Sequence, residues 1–172
     1  GGGLLSFLFA KREGITTPYV PPEFKDMPVQ QGNVYLRDAD WHFVGAEVFV
    51  IGFAYNPKTL SKADAPKTWD DLLNPKGKGQ IQMPNPAASG TATLSVLAQM
   101  MQTIRAGRTE KDAWEDWEKL NKNISLYPES GAAPTRAVAK GDAKVGICFS
   151  FMPWGLAARG ESVDFILPTQ TP

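Results

Sequence analysis

At 172 residues and 42% hydrophobic content, the chain can bury about two-thirds or more of its unfolded surface in one sizeable core, which excludes a disordered tail and makes one domain the expectation. Lys and Arg number 18 against 18 Asp and Glu, so there is no basic footprint for nucleic acid. The single cysteine, Cys148, excludes an intrachain disulfide and any multi-cysteine zinc site; a single histidine limits metals further, and the apolar run 43–55 is too short to span a bilayer and carries Glu47.

The chain opens Gly1-Gly2-Gly3 with no initiator methionine and no charged-then-apolar leader, so it reads as processed or as a piece of something longer. Residues 4–12, L-L-S-F-L-F-A-K-R, predict a short helix ended by Gly14, with Lys11 and Arg12 in the last turn where the peptide dipole favours them. Its apolar face is expected to be covered by the rest of the fold. Four prolines within 18–31 predict a surface arm. Between 35 and 55, β-branched and aromatic residues predict two strands separated near Gly45. The second, broken by Gly52 and Asn56-Pro57, is apolar enough to lie near the centre of a sheet. Thr68 with Asp71 predicts a capped helix start, ended at Asn74-Pro75, and a basic turn at 76–79 leads to a strand at 80–83.

Residues 83–93, M-P-N-P-A-A-S-G-T-A-T, are the stretch around which the rest is organised. Two prolines stop the preceding strand. Ser89, Gly90 and Thr91 then supply a side-chain cap, a point of close backbone approach and a second hydroxyl at the start of a long amphipathic pattern. The first turn of a helix leaves N–H groups without intrahelical partners and carries roughly half a positive charge, so a carboxylate, phosphate or sulfate is favoured there. Ser and Thr are also ordinary caps, and one such site does not separate binding from capping. A second copy, Ser130-Gly131-Ala132-Ala133-Pro134, also precedes a helix, with Pro134 expected as its first residue and Gly141 as its end.

Leu94, Leu97, Met101 and Ile104 recur at helical spacing and predict a core-facing stripe that ends at Gly107. A further helix is expected over 110–121, with Trp114, Trp117 and Leu120 on the core face and Glu115, Asp116 and Glu118 outside it. The tryptophans are read as packing. Strands are expected at 123–127, 144–150 and 163–167, with a short helix at 153–159. Strands alternating with helices predict an α/β layer fold.

Catalysis finds no residues to stand on. His42, the one available base, lies between Trp41 and Phe43 in a predicted strand, and Cys148 lies in an apolar strand with no signature of thiolate activation. The acidic pairs Asp38/Asp40, Asp70/Asp71 and Glu115/Asp116 do not share a helix face at that spacing. Phosphate-loop, dinucleotide and zinc-protease motifs are absent. No catalytic residue, metal ligand or cofactor is expected.

In order, T-W-D-D-L-L-N-P-K (68–76), G-Q-I-Q-M-P-N-P-A-A-S-G-T (79–91), P-E-S-G-A-A-P (128–134), A-K-G-D (139–142) and V-G-I (145–147) resemble the bacterial extracellular solute-binding proteins of ABC importers, in the group of ferric-ion, phosphonate and sugar-phosphate binders. The tract F-A-Y-N-P-K (53–58) falls in the same order. The resemblance implies a type II periplasmic-binding fold: two lobes closing on a small solute, each a central mixed β-sheet flanked by helices. Residues 1–172 would be a single α/β lobe from the middle segment of such a protein, in a periplasmic or other extracytoplasmic location, with an importer permease as partner of the whole. Half a clamp is expected to bind weakly, and its uncovered face could associate with a second copy.

Residue by residue, the resemblance assigns Ser89, Gly90 and Thr91 to an anion-binding helix start and Ser130 and Gly131 to a second ligand-contacting turn, with Ser150 added at the end of the following strand. The expected solute is a small organic phosphate, phosphonate or carboxylate. Ferric-ion binding through a synergistic anion and self-association without a ligand are the alternatives. Ferric-binding members carry adjacent tyrosines after the V-G-I-type strand, where this chain reads Cys148-Phe149-Ser150-Phe151, and this departure disfavours iron.

Overall fold

Residues 3–74 and 78–169 are described by the computed structural model, in which the chain divides into two units, one up to Val48 and one from Phe49 onward. The predicted turn at 76–79 falls partly outside these residues. In the first unit α1 (Leu4–Arg12) forms as expected, but none of its residues is buried, and Leu4, Leu5, Leu8 and Phe9 are exposed. Its apolar side chains surround little more than two turns instead of forming one stripe, so no single surface can cover them. Lys11 at its end holds Asp38 (2.9 Å) and Asp40 (2.8 Å).

The predicted arm contains a 3-10 turn at Pro22–Phe24 and a two-residue hairpin, β1 (Gln30–Gln31) with β2 (Val34–Tyr35). The first strand expected after residue 35 reduces to β2 and an isolated bridge between Arg37 and Val44. The Asp38 carboxylate is the reason: it accepts the N–H groups of Asp40 (3.0 Å) and His42 (3.3 Å) and turns the chain. His42 therefore sits in a turn and not in a strand, with Nδ1 2.8 Å from Thr16 Oγ1.

The second unit carries β3 (Ile51–Tyr55), β4 (Ile81–Gln82), α2 (Gly90–Arg105), α3 (Glu110–Asn121), β5 (Ile124–Leu126), α4 (Ala133–Lys140), β6 (Val145–Phe149), α5 (Phe151–Ala157) and β7 (Asp164–Ile166). The sheet order is β5-β4-β6-β3-β7. β4 runs parallel to β5 and β6, while β3 runs antiparallel to β6 and β7. Alternate residues of the buried strands face opposite layers. Phe53, Ile81 and Ile147 pack with Trp69, Ala92, Trp117 and Leu120 on one side, and Ala54 and Cys148 pack with Val138 and Val163 on the other. This is the expected α/β class, a mixed sheet flanked by helices.

Gly52 does not break its strand. It lies inside β3, where a Cβ would run into Ile166 O and the Phe165 ring, so β7 closes on β3 because this position has no side chain. The start predicted at Thr68 becomes a 3-10 turn, Asp70–Leu73, with the Thr68–Asp71 exchange present just ahead of it: Thr68 Oγ1 accepts from the Asp71 N–H (3.1 Å) and Asp71 Oδ2 accepts from the Thr68 N–H (2.9 Å).

Two helix faces differ from expectation. In α2 the buried residues are Thr91, Ala92, Ser95, Gln99 and Thr103, whereas Leu97, Met101 and Ile104 stand 40–50% exposed. Ser95, Gln99 and Thr103 offset part of the cost of burial by bonding within the helix: Ser95 Oγ donates to Thr91 O (2.8 Å) and Gln99 Nε2 to Thr103 Oγ1 (2.9 Å), while Gln99 Oε1 is buried without a partner among the described residues. In α3, Trp117 and Leu120 are buried but Trp114 is exposed, its indole N–H directed at Glu110 (3.3 Å). Asp116, expected outside the core face, is 1% exposed and paired with Arg108 (2.6 Å) and Lys119 (3.3 Å). A buried carboxylate with two cationic partners replaces an apolar contact.

Candidate functional site: two turns at one end of the sheet

Three adjacent parallel strands, β5, β4 and β6, end at the same edge of the sheet. The turns that follow them hold all the residues singled out from sequence, and the outer ends of parallel strands are where α/β sheets offer crevices for ligands. After β4, Asn85 bends the chain: its side-chain oxygen accepts the Ala87 N–H (2.9 Å) and its carbonyl accepts those of Ala88 (3.0 Å) and Ser89 (2.9 Å). The Asn85 N–H itself donates to Pro128 O (2.8 Å), tying this turn to the one after β5.

Ser89 occupies the N-cap position of α2 in extended conformation, but its hydroxyl makes no capping hydrogen bond. The expected side-chain cap is absent, and the hydroxyl is turned elsewhere. A Cβ placed on Gly131 would lie 2.6 Å from Thr91 Oγ1 and 3.1 Å from Ser89 Oγ. The first turn therefore presses both hydroxyls against the glycine of the second, and only glycine leaves them room. Ser89 and Thr91 are more than nine-tenths buried. Among the described residues neither hydroxyl has a hydrogen-bond partner. Gly90 is the exposed first residue of α2, and the amides of Gly90, Thr91 and Ala92 have no acceptor within the helix.

The second turn is built differently from expectation. Ala132, not Ser130, is the N-cap of α4, and Pro134 is its second residue after Ala133. Gly141 ends the helix as predicted. Ser130 is exposed; its carbonyl accepts the Ala133 N–H (3.1 Å), and its hydroxyl accepts from Arg136 Nη2 at 3.5 Å. Arg136 was not singled out from sequence; its place six residues after Ser130 on an ordinary helix carries no motif. Ser150, at the end of β6, is 2% exposed and exchanges hydrogen bonds with Val50, its N–H donating to Val50 O (2.9 Å) and its hydroxyl accepting the Val50 N–H (3.4 Å). It shares the sheet end with the other turns, but its hydroxyl is committed to backbone.

Other candidates lead elsewhere. Burial pushes the Cys148 thiol up to about 12, so at neutral pH it is a packed, protonated side chain. An open concavity of about 470 Å³, lined by Leu60, Lys67, Gln80 and Lys144 among others, lies where β4 and β6 begin, at the opposite end of the sheet from Ser89 and Gly131. We place the site by the converging polar groups, not by the larger hollow.

Residues 6–171 match the family described as bacterial extracellular solute-binding protein. The periplasmic binding protein AfuA from Actinobacillus pleuropneumoniae, solved with exogenous fructose-6-phosphate bound, aligns over 99% of this chain and 52% of its own, at 30% identity and a TM-score of 0.75. A probable ABC transporter periplasmic-binding protein of Sinorhizobium fredii is 34% identical over 68% of this chain and 30% of its own. An Fe(3+)-binding periplasmic protein of Serratia marcescens is 25% identical over 92% of this chain and 41% of its own. The chain thus spans about a third of the length of these curated relatives and about half of the solved structure. With the family match covering nearly every residue and the sheet superposing on a solved binding protein, the chain belongs to the bacterial extracellular solute-binding proteins, a family of binding proteins and not of enzymes, and carries a type II periplasmic-binding fold.

Proposed function

We propose that the chain is one lobe of the solute-binding protein of an ABC importer, working outside the cytoplasm, and that it holds a small anionic solute at the turns after β4 and β5. One observation carries this reading: Ser89 Oγ and Thr91 Oγ1, on residues more than nine-tenths buried and without hydrogen-bond partners among the described residues, converge on Gly131. Their hydroxyls and the free amides of the first turn of α2 would donate to one anion, as charge-assisted hydrogen bonds. The anion is an organic phosphate, phosphonate or carboxylate. The fructose-6-phosphate bound to AfuA supports the phosphate member of that class. In the whole protein a second lobe would enclose the solute and an importer permease would receive it.

Iron is the weaker alternative. At the end of β6 the rings of Phe149 and Phe151 pack on Phe49, with centroids 4.5 and 5.2 Å away, and these hydrocarbon surfaces offer no oxygen to a hard cation. Self-association is favoured by a different observation, the exposed stripe Leu97, Met101 and Ile104 on α2, and light scattering across a concentration series tests it.

Amide NMR titration tests the anion reading, because it detects the weak binding expected of one lobe. Inorganic phosphate should shift Gly90, Thr91, Gly131 and Ala132 in a saturable way, and neutral glucose should not. Equal shifts with glucose, or phosphate shifts confined to other residues, would refute it.

A further inference from the structure

We infer that Arg136 selects the charge of the solute, favouring a dianion such as a phosphate monoester over a monoanion of the same shape; this rests on the anion seat proposed above. Arg136 is the fourth residue of α4, whose first turn contains no acidic residue. A cation there faces the positive end of its own helix, an unfavourable placement that a bound anion between them would relieve. Its guanidinium is exposed and forms no ion pair among the described residues. Its one side-chain hydrogen bond is the long 3.5 Å contact to Ser130 Oγ, on the residue next to Gly131.

Arg136 also lines an open concavity with Gln82, Leu126 and Pro128, where β4 and β5 end. Asp142 and Lys140 line the same concavity, but Asp142 holds neither cation among the described residues. Through Ser130 the guanidinium reaches the neighbour of Gly131, the glycine on which Ser89 and Thr91 converge, and its donors are largely uncommitted. Hydroxyls and amides bind any oxyanion by shape and hydrogen bonding; a formal positive charge adds a Coulomb attraction that grows with the charge of the anion. Among the described residues, Arg136 is the cation hydrogen-bonded to these turns.

The test compares methyl phosphate, close to doubly charged at pH 7.5, with methyl sulfate, singly charged and of the same shape, by amide titration at that pH. The unaltered chain should bind methyl phosphate about fivefold more tightly, the scale of one partly solvated charge contact. Arg136→Gln should weaken both anions, methyl phosphate by the larger factor, and so narrow the ratio, and Arg136→Lys should keep most of it. A ratio unchanged in Arg136→Gln, with shifts still at Gly90 and Thr91, overturns the role of Arg136 alone. If neither anion shifts Gly90 or Thr91 in the unaltered chain, the seat itself is refuted and the role of Arg136 with it.

Discussion

α2 and α3 are consecutive helices joined by residues 106–109, yet their N-termini are finished in opposite ways. At α3 the helix closes on itself: Thr109 Oγ1 accepts the Asp112 N–H (3.2 Å), and Asp112 Oδ2 accepts the Thr109 N–H (2.8 Å). Glu110 and Asp112 supply negative charge to the dipole. At α2 the N-cap serine caps nothing, the first turn has no acidic residue, and the hydroxyls of Ser89 and Thr91 face Gly131. The start of α3 carries its own anion, whereas that of α2, like those of α1, α4 and α5, carries none. What sets α2 apart is the pair of hydroxyls that face Gly131, donors an anion from outside could take up.

The largest effect expected from breaking this contrast is at Gly131. Gly131→Ala would place a methyl group 2.6 Å from Thr91 Oγ1, inside the space a bound oxygen would use. The amide response to phosphate should vanish. Stability should fall by about 1–3 kcal/mol, the usual cost of forcing a methyl group into a packed site, as read from urea unfolding. A variant that keeps the full phosphate response would show that the convergence of the turns is incidental.

Next in size is a matched pair of hydroxyl deletions. Thr109→Ala removes a cap that is made and should cost about 1 kcal/mol with no change in phosphate response. Ser89→Ala removes a hydroxyl that caps nothing; it should cost less than about 0.5 kcal/mol and weaken phosphate binding several-fold. If both variants lose the same stability, Ser89 is an ordinary cap in solution and the contrast between the helices fails.

The places of both Ser-Gly turns, the alternation of strands and helices and the bounds of most elements were legible because prolines, glycines and strand composition act locally, although neither serine caps its helix as expected. The failures are tertiary. Nothing local distinguishes the Leu97–Met101–Ile104 stripe of α2 from the adjacent one with Ser95, Gln99 and Thr103; the choice is made by α3 and the sheet, against which small and intrahelically bonded side chains pack. Asp116 reads as a surface acid until Arg108, eight residues earlier, folds back onto it. Gly52 reads as a strand breaker because its reason, the close approach of β7, lies more than a hundred residues away. At the site, sequence could propose two turns, but only the fold brings Gly131 onto Ser89 and Thr91 and sets Arg136 beside Ser130.

The smallest effect sharpens the same comparison through pH. The backbone N–H of Thr109, then its hydroxyl, holds the Asp112 carboxyl below the usual carboxylate range. Asp71 is lowered too: burial acts to raise it, but the N–H groups of Lys67 and Thr68 outweigh that. A carboxyl depressed by folding contributes stability that is fully present above its unfolded pKa, about 4, and is lost as pH falls through the lower folded value. The urea midpoint difference between the unaltered chain and Thr109→Ala should therefore stay constant from pH 7 to pH 5 and shrink below pH 4, as protonation dismantles the cap in the unaltered chain. The difference for Ser89→Ala should stay flat over the same range, because the start of α2 contains no acid to titrate. An undiminished Thr109→Ala difference at pH 3 would mean that the bond from the Thr109 hydroxyl to the Asp112 carboxylate adds nothing to the cap, and that the two helix starts differ less than their geometry indicates.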